Sequence, residues 1–457
     1  MTEPDSSPLT ALAPPRATAQ FVSGSPLRHV AVMSGTGAIG LIAVFLVDLI
    51  NLFYISRLGE ESVAAAVGFA GVVGFFQLSV CIGLMIGIAA QVSRSIGAGQ
   101  AEQARHIASS SLVLMGLTCA LVALATYLAL DPLLNVLGAE GETRAQAALY
   151  LRITLLSVPA LGVAMGCSSL LRAVGDAKRA MNVTLIGALV TALLDPLLIF
   201  GLHLSLEGAA IAAVIARLSM LAMGLWGVLH AHQLLGRFQP ARWFPDSLHV
   251  GRVAGPAILA NLATPFGAAF VTHFMAQFGP AAIAGQATID RLTPVAFGLV
   301  YALSGAVGPI FGQNLGAGRF DRVHATLRGS LLFMGMVVGA AWILLALGQS
   351  LIIRAFSAQG PAAELIALFC SGLAASFFFI GALFVANTAF NNLGRPLYSM
   401  GFNWARATLG TIPFAYFGAQ YGPAGVLIGP AIGSVIFGSL ALWVAFRLTA
   451  QLGAGAR

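Results

Sequence analysis

The sequence predicts an all-α integral membrane protein of about twelve transmembrane helices, in two six-helix lobes related by pseudo-two-fold symmetry along the membrane normal. Three observations predict it. Of 457 residues, 58% are hydrophobic and 9% charged, against roughly 25% charged in a soluble globular chain, so little water-facing surface can be built. Apolar runs of roughly 20 residues, long enough to cross a hydrocarbon core of about 30 Å, recur about twelve times. The second half of the chain also repeats motifs of the first. Backbone groups cannot stay unpaired in lipid, so spans of this length are helices.

In chain order, residues 1–26 are rich in Pro, Ser and Thr and read as a disordered cytoplasmic tail. They lack the basic start and short apolar core of a secretory signal. Residues 27–232 form the N-terminal six-helix lobe. Residues 233–250, with Arg237, Pro240, Arg242 and Pro245, are the long polar break and read as a cytoplasmic linker. Residues 251–450 form the C-terminal six-helix lobe, and 451–457 a cytoplasmic tail. Cys81, Cys119, Cys167 and Cys370 fall inside apolar spans with no CxxC pair and no His cluster beside them, so they read as small core residues and no metal site is expected.

The formal net charge is +7, but the basic residues are not clustered. With a cytoplasmic N-terminus, the loops on that side carry Arg94, Arg105, Arg172, Lys178, Arg179, Arg237, Arg242, Arg252, Arg319, Arg322, Arg328 and Arg395. The opposite loops carry Arg57, Arg144, Arg152 and Arg354. This is the positive-inside asymmetry. It places both termini in the cytoplasm, makes the cell inner (plasma) membrane the expected location, and accounts for the basic balance without a nucleic-acid partner.

The repeat is visible by eye. Ser95-Ile96-Gly97-Ala98-Gly99-Gln100 recurs as Asn314-Leu315-Gly316-Ala317-Gly318-Arg319. Leu171-Arg172-Ala173-Val174-Gly175-Asp176 matches Asn391-Asn392-Leu393-Gly394-Arg395. Asp195-Pro196-Leu197-Leu198-Ile199-Phe200-Gly201 matches Ile412-Pro413-Phe414-Ala415-Tyr416-Phe417-Gly418, with proline and glycine aligned and the aspartate not. An even number of spans per half makes the repeats parallel. Carriers of that design hold substrate between the halves and rock one against the other.

Val47-Asp48 with Ser56-Arg57-Leu58-Gly59, the Gly-Ala-Gly turn, the Leu171 to Asp176 segment, Leu194 to Gly201 and Gly312-Gln313-Asn314-Leu315-Gly316-Ala317-Gly318 resemble, in order, the markers of the multidrug and toxic compound extrusion (MATE) family. The resemblance spans nearly the whole chain after the tail. It implies a secondary active antiporter, not an enzyme, that exports hydrophobic or cationic small molecules in exchange for an ion by alternating access. It also implies a monomer in the lipid bilayer, with no cofactor beyond a coupling proton or sodium.

Ionisable side chains are costly at the bilayer centre and need a reason. Asp48 lies nine residues before Arg57 at the outer end of span 1, roughly 13 Å beneath that end at 1.5 Å per residue. Asp195 lies six residues before Gly201 in span 5, roughly 9 Å deep by the same rise. If spans 1 and 5 pack side by side, as in the family resembled, the two carboxylates share a pocket. They cannot both ionise cheaply there, which suits a proton carrier. Asn51 lies one turn from Asp48, and Thr184, Ala188, Thr191 and Asp195 follow one helix face. Pro196 withholds a donor from the carbonyl of Ala192 and favours a local bend. The structural alternative is a fixed pairing of Asp195 with Arg217 on span 6.

Relative to the family pattern, Thr191 replaces a frequent carboxamide and Ala213 a frequent hydroxyl, leaving few oxygens for sodium. Protons are therefore the expected coupling ion, with sodium the alternative. Ala268 and Ile412 stand opposite the two aspartates, and span 10 carries no acid, a distribution closest to the DinF-like branch. Span 1 has Ser34-Gly35 where the family usually has proline. Asp290 and Arg291 on span 8 read as gating or structural charges. Asn261, Thr264 and Thr272 on span 7, and Asn387 and Asn391 on span 10, read as interhelical glue. His273 is given no function. Phe75, Phe76 and Gln77 on span 2, Met165 on span 4, and Phe377, Phe378 and Phe379 on span 10 are candidate substrate-cavity residues; packing is the plainer reading of each. A lipid or oligosaccharide flippase of the same architecture is the rival function. Its anionic cargo calls for several basic residues along the cavity, and only Arg217, Arg291 and Arg406 are expected within spans.

Overall fold

A computed structural model of the chain describes residues 18–57 and 61–454. The expectations for residues 1–17 and 455–457, and for Leu58 and Gly59, fall outside it. The helices are α1 (Pro26–Arg57), α2 (Glu61–Gly97), α3 (Ala101–Leu128), α4 (Leu130–Val136), α5 (Gly141–Leu155), α6 (Val158–Ala173), α7 (Ala177–Pro196), α8 (Ser205–Trp226), α9 (Pro240–Ala276), α10 (Pro280–Ala296), α11 (Gly298–Gly316), α12 (Phe320–Ala355), α13 (Pro361–Ser371), α14 (Phe377–Asn392), α15 (Pro396–Thr408), α16 (Ile412–Ala419) and α17 (Pro423–Ala454). Among the described residues, 9 helices are long and apolar enough to cross a membrane alone. Two bent pairs, α5 with α6 at 51° and α10 with α11 at 48°, raise the number to 11. The short helices α15 and α16 follow α14 and are separated by residues 409–411.

The buried apolar residues divide into two cores, one built mainly from α2 to α8 and one mainly from α9 to α17. These are the two lobes. The side carrying the N-terminus is called the base below, and the opposite side the mouth.

The repeated Gly-Ala-Gly turns explain how the lobes meet. At the base, α2 crosses α11 backbone to backbone: Gly97 packs directly on the Gln313 carbonyl, and its counterpart Gly316 packs on the Arg94 carbonyl. Arg94 lies three residues before Gly97 and Gln313 three before Gly316, so the contact is self-complementary about the pseudo-two-fold axis. Any side chain at either glycine would collide with main chain, which is why small residues occupy such crossings. The second glycine of each turn serves a different purpose. Gly99 (φ 72°) and Gly318 (φ 67°) are left-handed and end α2 and α11.

Toward the mouth, α2 packs on α9 at Gly83 and Ile258, and farther out on the same face of α2 Phe76 and Val72 are exposed. The lobes close at the base and part toward the mouth.

Two boundaries differ from the sequence reading. Only residues 233–239 of the linker are non-helical; residues 240–250 are the first turns of α9, since Pro240 is well suited to a helix start. This segment is tied back to α3, Arg105 donating to Gln233 O (2.8 Å), Ser109 to Gly236 O (2.9 Å) and Ser110 to Asp246 (2.8 Å). Residues 18–25, expected as part of a disordered tail, take a defined place. Gln20–Val22 form a 3-10 turn wedged between the lobes. Ala19 packs against the N-terminal core while Phe21, 3% exposed, lies in the C-terminal core. The Phe21 N–H donates to Gln313 Oε1 (2.9 Å), and Asn314 (3.2 Å) and Arg322 (2.9 Å) donate to Phe21 O.

Candidate functional site

Helix α1 places the first acid. It runs parallel to α7 and packs along it: a Cβ at Gly40 would lie 3.2 Å from Thr184 Cβ, and Tyr54 meets Phe200 edge to face at 5.6 Å. From the Gly40–Thr184 level, eight residues lead to Asp48 and eleven to Asp195, rises of about 12 and 16 Å. Measured down from the Tyr54–Phe200 level the depths are about 9 and 8 Å. The two carboxylates therefore lie at nearly one level in the mouth-side half, and the charge of Asp48 acts on Asp195. At 100° per residue, Asn51 falls on the α7 face of α1, while Asp48 lies between that face and the α11 face marked by Phe45.

The two acids have different surroundings. Asp48 is exposed and Asp195 is 1% exposed. Asp195 Oδ1 is buried with no hydrogen-bond partner, as is Asn51 Oδ1. After Pro196 the chain winds into a π-helical turn, Leu197–Gly201, a distortion common at functional sites and the form taken by the bend expected at Pro196. Gly208 of α8 fits against the Leu198 carbonyl in that turn.

The suggested Arg217–Asp195 pairing is absent. Arg217 donates instead to Thr154 O (2.9 Å) and Ser157 Oγ (3.0 Å), at the break between α5 and α6. Thr191 turns its hydroxyl to Gly187 O of its own helix (3.0 Å), so it gives Asp195 no hydrogen bond. Tyr150 of α5, which hydropathy gives no reason to notice, feels the charges of Arg217, Asp195 and Asp48 together.

The proposed cavity residues separate. Phe75 and Phe76 are exposed, while Gln77 is buried with its Nε2 unpartnered. Met165 packs against the N-terminal core. Phe377 stacks on Phe297 at 4.2 Å, and Phe378 lies beside Gly335 and meets Phe379 edge to face at 5.4 Å. Phe377 and Phe378 pack against the C-terminal core. In α10, Asp290 and Arg291 are both exposed and make no ion pair with each other among the described residues. Gln286 donates to Thr272 (3.1 Å), joining α10 to α9. Asn261 bonds only Ala257 O of its own helix (2.8 Å). Asn387 and Asn391 keep a buried Oδ1 unpartnered. His273 is exposed beside Phe274. Among the described residues no His, Cys, Asp or Glu cluster could hold a metal ion.

The MatE family model matches residues 38–197 and 256–417, both repeats in turn. A FAD transporter of Shewanella oneidensis is 29% identical over 423 residues, covering 91% of this chain and 93% of that protein. The multidrug export protein MepA of Staphylococcus aureus is 24% identical over 306 residues, covering 65% of this chain and 66% of that protein. The crystal structure of the Vibrio cholerae MATE transporter VcmN in the bent form superposes with a TM-score of 0.87 at 25% identity, covering 94% of this chain and 98% of that chain.

Proposed function

Since this chain belongs to the MatE family of multidrug and toxic compound extrusion transporters, we propose that it is a proton-coupled antiporter exporting small organic molecules by alternating access, with Asp48 and Asp195 as its ion site. The observation that carries this reading is Asp195: a carboxylate 1% exposed, one oxygen without any donor, at the level of a second carboxylate. An ionised acid in that position needs a proton or a cation beside it. A proton is favoured over sodium because sodium wants several oxygens, and the nearest hydroxyl on the helix, Thr191, is spent on Gly187.

The base is taken as cytoplasmic, because the basic loops lie there, and the chain as a monomer of the plasma membrane. Cargo then enters from the base when the Gly97–Gly316 crossing opens and leaves through the mouth in the form described here. Two features bear on the cargo's charge. A deprotonated acid pair would attract an organic cation; arginines elsewhere in the cleft favour the opposite sign.

Reconstituted vesicles test the coupling. Collapsing the proton gradient should stop export, replacing sodium with choline should not, and Asp48→Asn and Asp195→Asn should each abolish transport while expression persists. Sodium-driven export at clamped pH, or wild-type export by either variant, would overturn the proposal.

A further inference from the structure

Guanidiniums in a membrane interior call for a counter-charge, and two here lack one. Arg172 ends α6 at the base, yet its side chain reaches inward. Its Nη2 lies 3.2 Å from Met85 Sδ of α2, a weak acceptor, and its Cζ lies 4.0 Å from a Cβ built at Gly305 of α11. Arg406 of α15 reaches Thr264 Oγ1 at 3.5 Å, the limit of a hydrogen bond, and its Nε is buried without a partner. Among the described residues, no carboxylate lies within 4.0 Å of either. Asp290 is the acid nearby; its charge and that of Arg406 both act on Tyr301 without the two forming an ion pair.

The two arginines come from opposite lobes: Arg172 meets one face of α11 at Gly305, and Arg406 meets α9 at Thr264. Gly305 and Tyr301 are four residues apart on α11 and share that face. Just below it the base is sealed, where Gln313 Nε2 donates to Ala173 O (2.7 Å) and Gly312 packs on Ser93. Arg172 therefore lies at the floor of the cleft. Beside it, Tyr301 contacts Phe45 of α1 at 6.4 Å and Phe384 of α14 at 5.8 Å between centroids.

Resting on the efflux reading above, we infer that this face of α11 is an anion subsite of the transport cleft, and that the exported substrate is an aromatic organic phosphate of the nucleotide type. Planar guanidinium forks match phosphate oxygens in pairs of hydrogen bonds, and aromatic side chains accept a stacked base or other flat ring. Cargo held by Arg172 and Arg406 at once would join the lobes, so its arrival is felt by both. Protons at Asp48 and Asp195 then act through lobe geometry instead of by displacing the cargo.

The test uses the full-length protein, in detergent for binding and in reconstituted vesicles for export, with ADP and FAD as anionic probes and ethidium as a cationic one. The wild type should bind both nucleotides. Arg172→Gln and Arg406→Gln should each weaken nucleotide binding about tenfold or more, the scale of a lost charged hydrogen bond. The lysine variants, which keep the charge and lose the fork, should fall between, and they decide the matter where a glutamine variant no longer unfolds cooperatively. Absent nucleotide binding in the wild type, or undiminished binding in the variants, overturns the subsite. Proton-driven ethidium export without nucleotide binding would sink this inference and leave the carrier reading standing; no proton-driven export of any probe would sink the carrier reading itself.

Discussion

Truncating Phe21 should unlatch the base. The segment 18–25 spans the seam between lobes, with the Phe21 ring set in the C-terminal core and its tip facing Gly175 at the α6–α7 turn of the other lobe. A buried phenylalanine covers about 150–250 Å². If one edge, about a third of that, faces the N-terminal lobe, it contributes about 1–2 kcal/mol at about 25 cal/mol per Å². Only this part is lost when the base opens, because the rest of the ring stays in its own lobe. Phe21→Ala should therefore raise the base-open population about 5- to 30-fold, and Phe21→Leu by less. Nitroxides at Gln100→Cys and Asp321→Cys, exposed positions in opposite lobes, would report it by pulsed electron paramagnetic resonance, the four native cysteines being buried. A second, longer distance should appear in Phe21→Ala. An unchanged distribution in a folded variant would show that the strap is incidental to closure.

Valine at Gly316 would meet the Arg94 carbonyl head on, so Gly316→Val should favour the base-open form in the same measurement and slow export. Thr191→Val should leave proton coupling within about threefold of wild type, since its hydroxyl serves only the local helix, a bond worth little net; lost coupling would mean that Thr191 does act on Asp195. At the base, burial disfavours charge on Asp176, but hydrogen bonds from His232 (2.7 Å) and from Arg179 outweigh it and hold the carboxyl below its usual 3.8. A depressed carboxylate stabilises the fold above its unfolded pKa and ceases to as pH falls through the folded one. Asp176→Asn should thus lower the thermal midpoint at pH 7, with the difference closing below pH 3.8; a pH-independent difference would refute the charge-based account.

How much of this was legible in the sequence depended on whether a residue's task is local. The Gly-Ala-Gly turns announced themselves by recurring, and the structure gives each glycine its reason: the first for a backbone crossing, the second for a left-handed helix end. Asp48 and Asp195 stand out in the sequence because charge is rare in lipid, and the structure sets them at nearly one level. Arg172 was misread as a loop cation, since sequence position shows where a helix ends but not which way a long side chain then turns. Phe21 sits among Pro, Ser and Thr, where composition argues for disorder, and its pocket is assembled from residues about 150 to 300 positions away. The Arg217 alternative failed for a similar reason: the break between α5 and α6 exposes a carbonyl that no hydropathy pattern marks.

Helix α1 belongs to both lobes, and this determines how protonation can move them. Its base end is built into the C-terminal lobe, with Val30 and Met33 in that core and Leu27 against Gly329. From Gly40 outward it packs on α7, carrying Asp48 to the level of Asp195. When the lobes rock, α1 must bend between these attachments, slide on α11, or pull the lobes together. Ser34 and Gly35 lie at the transition, the hydroxyl buried without a partner and the glycine with no atom within 4 Å of a Cβ, which favours bending there. Two engineered cross-links separate the cases. Leu27→Cys with Gly329→Cys would place Cβ atoms about 3.7 Å apart between the base end of α1 and α12, and Gly40→Cys with Thr184→Cys about 3.2 Å apart within the N-terminal lobe, near the usual disulfide span of about 3.5–4.5 Å. If α1 bends at its base third while its lower end travels with the C-terminal lobe, oxidation of either pair should leave at least about half of proton-driven export, since each link joins parts that move together. If α1 moves whole with the N-terminal lobe, the Leu27–Gly329 link should stop export and reduction should restore it, and the assignment of its base end to the other lobe would be wrong.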